Sequence, residues 1–285
     1  MANLKEIRNR IASVSSTMQI TSAMKMVSAA KLKKAQDAIT AMRPYSDTLT
    51  DLLQSLSGSI ESSDASKYAA VRGEDKILLV AITSNRGLCG AFNTNVIKQA
   101  QSLAKSAYAG KAVSVMAVGK KSADILGKDF PLVSNESAIY EDLTFANVSE
   151  IADRLMEDFA TEKFDKIVLI YNKFKNAATQ IVTTEQFLPI VPVIGAAAES
   201  DYIFEPGKAE IVSELVPKAL KTQLFKGIRD SFASEHGARM TAMHKATDNA
   251  TDLRDQLKLT YNKARQAAIT NEILEIVGGA EALND

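Results

Sequence analysis

Apolar positions recur at three- and four-residue steps at both ends of the chain and follow strand-like periods between them. At the front, Ile7, Ile11, Val14 and Met18 form one series; after a slip near Ile20 it resumes at Met24 and Val27. It then runs through Ala35, Ile39, Met42, Leu49, Leu52 or Leu53, and Leu56, which predicts a helix over most of residues 1–57. Pro44 is expected to bend or interrupt that helix, because proline removes a backbone donor and crowds the preceding turn. If continuous, about 55 residues at ~1.5 Å each reach roughly 80 Å, too long for a compact domain.

The period then changes. The serine-rich stretch SGSIESSDAS (57–66) predicts a loop. KILLVAIT (76–83), KAVSVMAVG (111–119) and KIVLIYNKF (166–174) are buried-strand runs, and TQIVTTEQFLPI (179–190) alternates as a fourth strand, joined by a hairpin through Lys175–Ala178. Helices are expected over about 92–109 and 147–162, with a short one after the second strand. Strand–helix–strand succession predicts a small, mostly parallel sheet with helices on its faces, an α/β domain spanning 75–195. The helical period returns near Lys208 and lasts almost to the end (208–285). Phe225, Ile228 and Phe232 lead it, and Ala246, Ala250, Leu253, Leu257, Thr260, Ala264 and Ala268 follow. Pro217 either kinks this helix or opens its long section; at about 60 residues it reaches roughly 90 Å. Neither terminal helix can bury its stripe alone, and the economical arrangement is an antiparallel intramolecular coiled coil bracketing the α/β domain, with a coiled-coil homodimer as the rival.

The stretch TSAMKMVSAAKLKKAQ (21–36) asks for more than a seam. Met24, Met26 and Val27 are apolar on more than one side, and Lys25, Lys31, Lys33 and Lys34 spread charge around the rest, whereas a helix that only covers a core keeps one apolar stripe. Charge supports partners at both ends. Lys plus Arg equals Asp plus Glu at 34 each, which argues against nucleic acid as the partner. Yet residues 1–45 carry net +6, and residues 271–285, with Glu272, Glu275, Glu281 and Asp285, carry net −4. No run of about 18 uncharged apolar residues predicts a membrane span, and the front lacks a signal-peptide core. The single cysteine, Cys89, excludes an internal disulfide.

Candidate chemistry is sparse. Gly87-Leu-Cys-Gly90 follows a strand and precedes a helix, where nucleotide folds place a phosphate loop, but the third glycine of a dinucleotide fingerprint is missing. Gly119-Lys120-Lys121-Ser122 imitates the end of a P-loop, but position 114 is Ser. His236 and His244 stand eight apart on a helix, unlike the i, i+4 pair that chelates metal, so surface or packing roles are expected for both. No nucleophile–base set or carboxylate pair follows from spacing, and neither a catalytic residue nor a cofactor is expected.

The sequence resembles the γ subunit of F-type ATP synthases along essentially its whole length. Ile269-Thr-Asn-Glu272-Ile-Leu-Glu275-Ile-Val-Gly-Gly279-Ala280-Glu-Ala282 fits that family's signature I-T-x-E-x-x-E-x-x-x-G-A-x-A at every fixed position. Tyr261-Asn-Lys-Ala-Arg265-Gln266, Ala246-Thr-Asp248-Asn249-Ala250, Ile7-Arg8-x-Arg10-Ile11, Ile20-Thr-x-Ala-Met24-Lys25-Met26-Val27 and Ala29-Ala-Lys31-Leu32 match as well, and Arg86-Gly-Leu-Cys-Gly-Ala-Phe-Asn93 is the family's loop. Asn85 departs from the family's usual Asp, which puts a charge pair there in doubt. Gly237 replaces a usual alanine, at about 1 kcal/mol in helix propensity. Plastid relatives carry an inserted cysteine pair; with Cys89 alone, thiol switching is not expected and a bacterial origin is favoured.

The resemblance implies a non-catalytic rotor. Its coiled coil would stand inside a ring of three α and three β subunits, with the α/β domain at the c-subunit ring beside ε. Proton flow would turn it and so drive ATP synthesis on the β subunits. Its place would be peripheral, at the cytoplasmic face of a bacterial inner membrane. Residues expected to meet the α/β ring are Met24, Lys25, Lys31, Lys33, Lys34, Arg239, Arg265, Gln266, Thr270, Glu275 and Ile276, with an apolar tip around Ile273, Ile276, Val277 and Ala280. A passive coiled-coil scaffold, and an α/β enzyme binding a nucleotide at Gly87–Gly90, are the alternatives.

Overall fold

The computed structural model describes residues 4–55, 66–190 and 207–281; the predicted loop at 57–66 lies outside these except for Ser66. The chain divides into two compact units, one of Ser28–Arg239 and one of Met1–Val27 with Met240–Asp285. Both terminal helices contribute to both units: α1 is Leu4–Ser55 and α6 is Lys208–Glu281. Each continues through its proline, Pro44 or Pro217.

The larger unit is built on five strands, β1 (Lys76–Ile82), β2 (Ala112–Val118), β3 (Leu132–Asn135), β4 (Lys166–Phe174) and β5 (Gln180–Leu188), in the order β3-β2-β1-β4-β5. β1 lies parallel to β2 and β4, β2 parallel to β3, and β5 antiparallel on β4. Between them run α2 (Ser66–Ala69), α3 (Phe92–Lys105), α4 (Lys120–Asp129), a 3₁₀ turn (Ser137–Tyr140) and α5 (Phe145–Ala160). Every residue of β1 after Lys76 is buried, as expected of a central parallel strand covered on both faces. Alternation sorts its side chains. Ile77, Leu79 and Ala81 pack with Val96, Ile97 and Ala100 of α3 and Leu126 of α4. Leu78, Val80 and Ile82 pack with Val148, Ile151 and Leu155 of α5.

The second face has another occupant. Val212, Val216, Leu220, Leu224 and Ile228 of α6 belong to the same core as α5. The front of the C-terminal helix is therefore a layer of the α/β unit, a placement its apolar period could not convey, since a helix stripe reads the same against a sheet as against a helix.

The predicted slip in the front helix is absent. Buried and half-buried positions advance along α1 in a three–four alternation: Ile7, Ile11, Val14, Met18, Thr21, Lys25, Ser28, Leu32, Ala35, Ile39, Met42, Ser46 and Leu49. That is a sustained heptad stripe. Thr21, Lys25 and Ser28 hold it through the stretch where hydrophobicity wanders, leaving Ile20, Met26 and Val27 57–65% exposed.

One glycine fixes the carboxyl edge of the sheet. Gly119, between β2 and α4, has φ +118°, and a Cβ there would lie 2.3 Å from the Thr83 carbonyl oxygen. That oxygen is held, because the Tyr140 hydroxyl donates to it at 2.8 Å and the Thr83 N–H donates to Val118 O at 2.8 Å. Gly119→Ala is expected to lower stability by more than about 2 kcal/mol, read as a shift of the urea midpoint.

Candidate functional site

In doubly wound sheets a ligand sits beyond the carboxyl ends of the strands where the winding reverses. Here α3 and α4 lie on one face and α5 on the other, so the reversal falls between β1 and β4. The loop after β1 is braced internally. Ser84 Oγ donates to Arg86 O at 2.6 Å, the Ser84 N–H donates to Asn93 Oδ1 at 2.9 Å, and Asn93 Nδ2 donates to Cys89 Sγ at 3.2 Å. Cys89 is buried with Phe92 and Ala238, and burial pushes its thiol up from the usual range. A reactive cysteine needs the opposite shift.

The mouth between β1 and β4 is filled by the chain itself. Asn172 Nδ2 of β4 donates to Phe92 O at 3.0 Å, and Ser234 Oγ of α6 donates to Asn172 O at 2.9 Å. Gly237 brings the helix against the β4–β5 turn so closely that a Cβ would stand 3.2 Å from Ala177 Cα and O. Glycine therefore has a steric reason here, offsetting its cost to the helix. Arg239, 7% exposed, donates through Nη2 to Arg86 O at 3.0 Å and Gly87 O at 3.2 Å, and through Nη1 to Glu235 Oε1 at 2.6 Å. Ser231, Ser234, Glu235, His236 and Arg239 are all buried. Where relatives of this fold class admit a nucleotide, this one inserts its own helix.

The polar cluster has mixed electrostatics. Burial pushes the Glu235 carboxyl up, against the pull of Arg239. His236 meets Phe232 edge-on at 4.5 Å, and Phe232 stacks on Tyr140 at 6.1 Å. Neither imidazole nitrogen has a hydrogen-bond partner among the described residues. Burial first, then Arg239 and Lys31, lowers its pKa to about 4. Asn85, the departure from the family's Asp, uses both ends of its amide. Nδ2 donates to Ser137 O at 2.9 Å, and Oδ1 accepts from the Lys120 N–H at the start of α4 at 3.0 Å. A carboxylate would lose the first bond.

In the smaller unit the two helices run antiparallel along polar as well as apolar contacts. Lys25 Nζ stands 3.2 Å from His244 Nδ1, the Thr21 and Thr247 hydroxyls are 2.8 Å apart, Thr251 Oγ1 donates to Met18 Sδ at 3.3 Å, and Arg8 Nη2 donates to Tyr261 Oη at 2.8 Å. Continued at this pitch, the described start of α1 at Leu4 falls opposite residues near 265. Beyond that no helix among the described residues lies beside α6, and every residue from 265 to 280 is exposed, including Ile269, Ile273, Leu274, Ile276 and Val277 at 48–69%.

The residues named from the sequence, Arg239 excepted, fall into three groups. Met24 and Lys25 are half-buried at the helix pair. Lys31, Lys33 and Lys34 are exposed, with Lys33 3.4 Å from Asp37. Arg265, Gln266, Thr270, Glu275 and Ile276 are exposed, and Thr270 Oγ1 donates to Gln266 O of its own helix at 3.0 Å. Arg239 stands apart because it points inward. Glu235 and the Thr21–Thr247 pair carry no signal in the sequence, whereas Gly119, which imitates the end of a P-loop there, is a steric requirement against Thr83.

A two-helix coiled coil joined to a doubly wound domain with a self-filled switch point, and a bare helix end, define a chain that works against other chains. The family model described as ATP synthase matches residues 3–283. The ATP synthase gamma chain of Flavobacterium johnsoniae is 70% identical, with all of both chains covered. Among solved structures, one of Tetrahymena thermophila mitochondrial ATP synthase, central stalk and c-ring, aligns with TM-score 0.61 and 27% identity, covering 80% of this chain and 99% of that one. One of Euglena gracilis mitochondrial ATP synthase aligns with TM-score 0.72 and 23% identity, covering 98% and 94%. The chain belongs to the gamma-subunit family of bacterial F-type ATP synthases.

The buried His236 generates a pH prediction. The folded chain keeps the imidazole neutral to about pH 4, while the unfolded chain protonates near 6.5, so stability is complete above that value and falls with acid through the window between them. Between pH 7 and pH 5 this costs about 1–2 kcal/mol. His236→Phe should remove that part of the acid sensitivity, measured as urea midpoints at the two pH values.

Proposed function

We propose that the chain is the central rotor of a proton-translocating ATP synthase. It turns with a ring of c subunits beside ε and, inside a ring of three α and three β subunits, drives ATP synthesis or is driven by ATP hydrolysis. The observation that carries this reading is the bare end of α6. A helical stretch with apolar side chains on several sides is covered by none of the described residues, and isolated helices of that length are marginal in water. An enclosing sleeve supplies what the chain lacks.

The same physics serves the basic stretch. Lys31, Lys33 and Lys34 project from α1 into solvent and can meet acidic loops of the β subunits. Exposed pairs of that kind are worth about 0–1 kcal/mol each, weak enough to exchange partners as the shaft turns. Met24 offers deformable apolar contact, and Arg265, Gln266, Thr270, Glu275 and Ile276 present a different chemistry on the other helix. Unlike faces are what the mechanism requires, because an axle with equivalent sides could not bias three identical β sites differently.

The chain contributes no catalytic group in this reading: ATP is made and hydrolysed on the β subunits. The crevice that could have held a nucleotide is occupied by Ser231–Arg239 of its own helix. No helix among the described residues is long and apolar enough to cross a membrane, consistent with peripheral attachment at the cytoplasmic face of the inner membrane.

Expressed together with the α and β subunits, one copy should co-purify with three of each; recovery of the chain free of them would overturn the proposal. In the assembled complex, replacing Lys31, Lys33 and Lys34 with Gln should lower ATP-driven proton pumping more than complex yield. Unchanged pumping and torque would remove the stretch from the mechanism.

A further inference from the structure

Leu88 combines two features that folding alone does not explain. The residue is 65% exposed, and its backbone has φ +62°. A leucine pays for that left-handed conformation at roughly 1–2 kcal/mol, where glycine would sit freely. The residues around it are fixed. Cys89 is 1% exposed, packed with Phe92 and Ala238, and the carbonyls of Arg86 and Gly87 both accept from one guanidinium nitrogen of Arg239.

That guanidinium is an unusual choice for a buried position. A buried Arg–Glu pair rarely adds net stability over apolar side chains of similar size, because both charges must leave water. What arginine offers is geometry: one planar group holds the Glu235 carboxylate through Nη1 while Nη2 reaches the turn. Lysine has a point charge and no fork. Glu235 stands one helical turn before Arg239 and aims it.

We propose that Arg239 is a positioning residue for rotary coupling: aimed by Glu235, it latches the Arg86–Leu88 turn to α6, so that helix and turn move as one and Leu88 is held outward as a rigid apolar knob beside the Arg86 cation. The inference rests on the rotor reading. Without the latch the exposed turn would yield under load instead of transmitting it, and ATP hydrolysis would proceed with fewer protons moved.

The test uses the assembled complex in sealed vesicles, carrying Arg239→Gln, Arg239→Lys or the double variant Glu235→Gln/Arg239→Met. The double variant removes both charges, so no unpaired carboxylate is left buried if Arg239→Gln impairs assembly. Two quantities are read: amide hydrogen exchange over residues 86–90, and protons pumped per ATP hydrolysed. The latch predicts exchange at least tenfold faster across the turn in Arg239→Gln and in the double variant, with β1 and β4 unchanged, and a severalfold fall in pumping per ATP. Arg239→Lys should recover part of both. Unchanged exchange overturns the latch, and so does a loosened turn with wild-type pumping per ATP. Failure of the wild-type complex to pump at all would instead strike the rotor reading.

Discussion

A pair of antiparallel helices can bury only one narrow seam, and the rest of this chain's behaviour follows from that limit. In the smaller unit the seam is mixed, with Thr21 against Thr247 and Lys25 against His244. Such contacts set register and orientation more than they supply energy, since each exchanges water for a protein partner at a small net gain. Most of both helices is left facing outward, and α6 ends with a bare stretch from 265 to 280. A molecule arranged this way gains its remaining stabilisation from neighbours, and those neighbours feel whichever face is turned toward them.

The α/β unit shows the opposite economy. It has the architecture that elsewhere receives nucleotides, including a strand–loop–helix with two glycines at the switch point, and it spends that position on itself. Asn172, Ser234, Gly237 and Arg239 join β4, the loop after β1 and α6 where a ligand would lie. A helix whose front is a sheet layer and whose middle plugs the crevice is tied to the domain over a long distance, through Val212, Val216, Leu220, Leu224 and Ile228 and then through the polar cluster. Torque needs such a joint, because a helix resting on one short contact would pivot.

Much of this was legible in the sequence because the signals were periodic. The strand runs that open at Lys76, Lys111 and Lys166 are β1, β2 and β4, and 179–190 contains β5 on the predicted hairpin. β3 carries no signal in the sequence because Leu132–Asn135 is four residues long with no alternation to display. The seam through Thr21, Lys25 and Ser28 is hidden in the sequence because its residues there are polar, although their spacing is unbroken. Arg239 is expected at the ring on the same family resemblance as Arg265 and Glu275; in the structure the loop after β1 folds over it and leaves it 7% exposed, a burial its place on a helix could not convey. The exposed candidates of α6, from Arg265 to Ile276, were recognisable by their match to a family signature, and nothing in their physical pattern alone singled them out.

The central claim is that the two terminal helices turn together as one body within a ring of other subunits. Cysteines at Thr21 and Thr247, whose hydroxyls lie 2.8 Å apart, are within reach of a disulfide. With that bond formed in the assembled complex, ATP-driven proton pumping should continue at the rate of the reduced form. Pumping that stops on oxidation and returns on reduction would mean that the helices must move against each other, and would contradict the account.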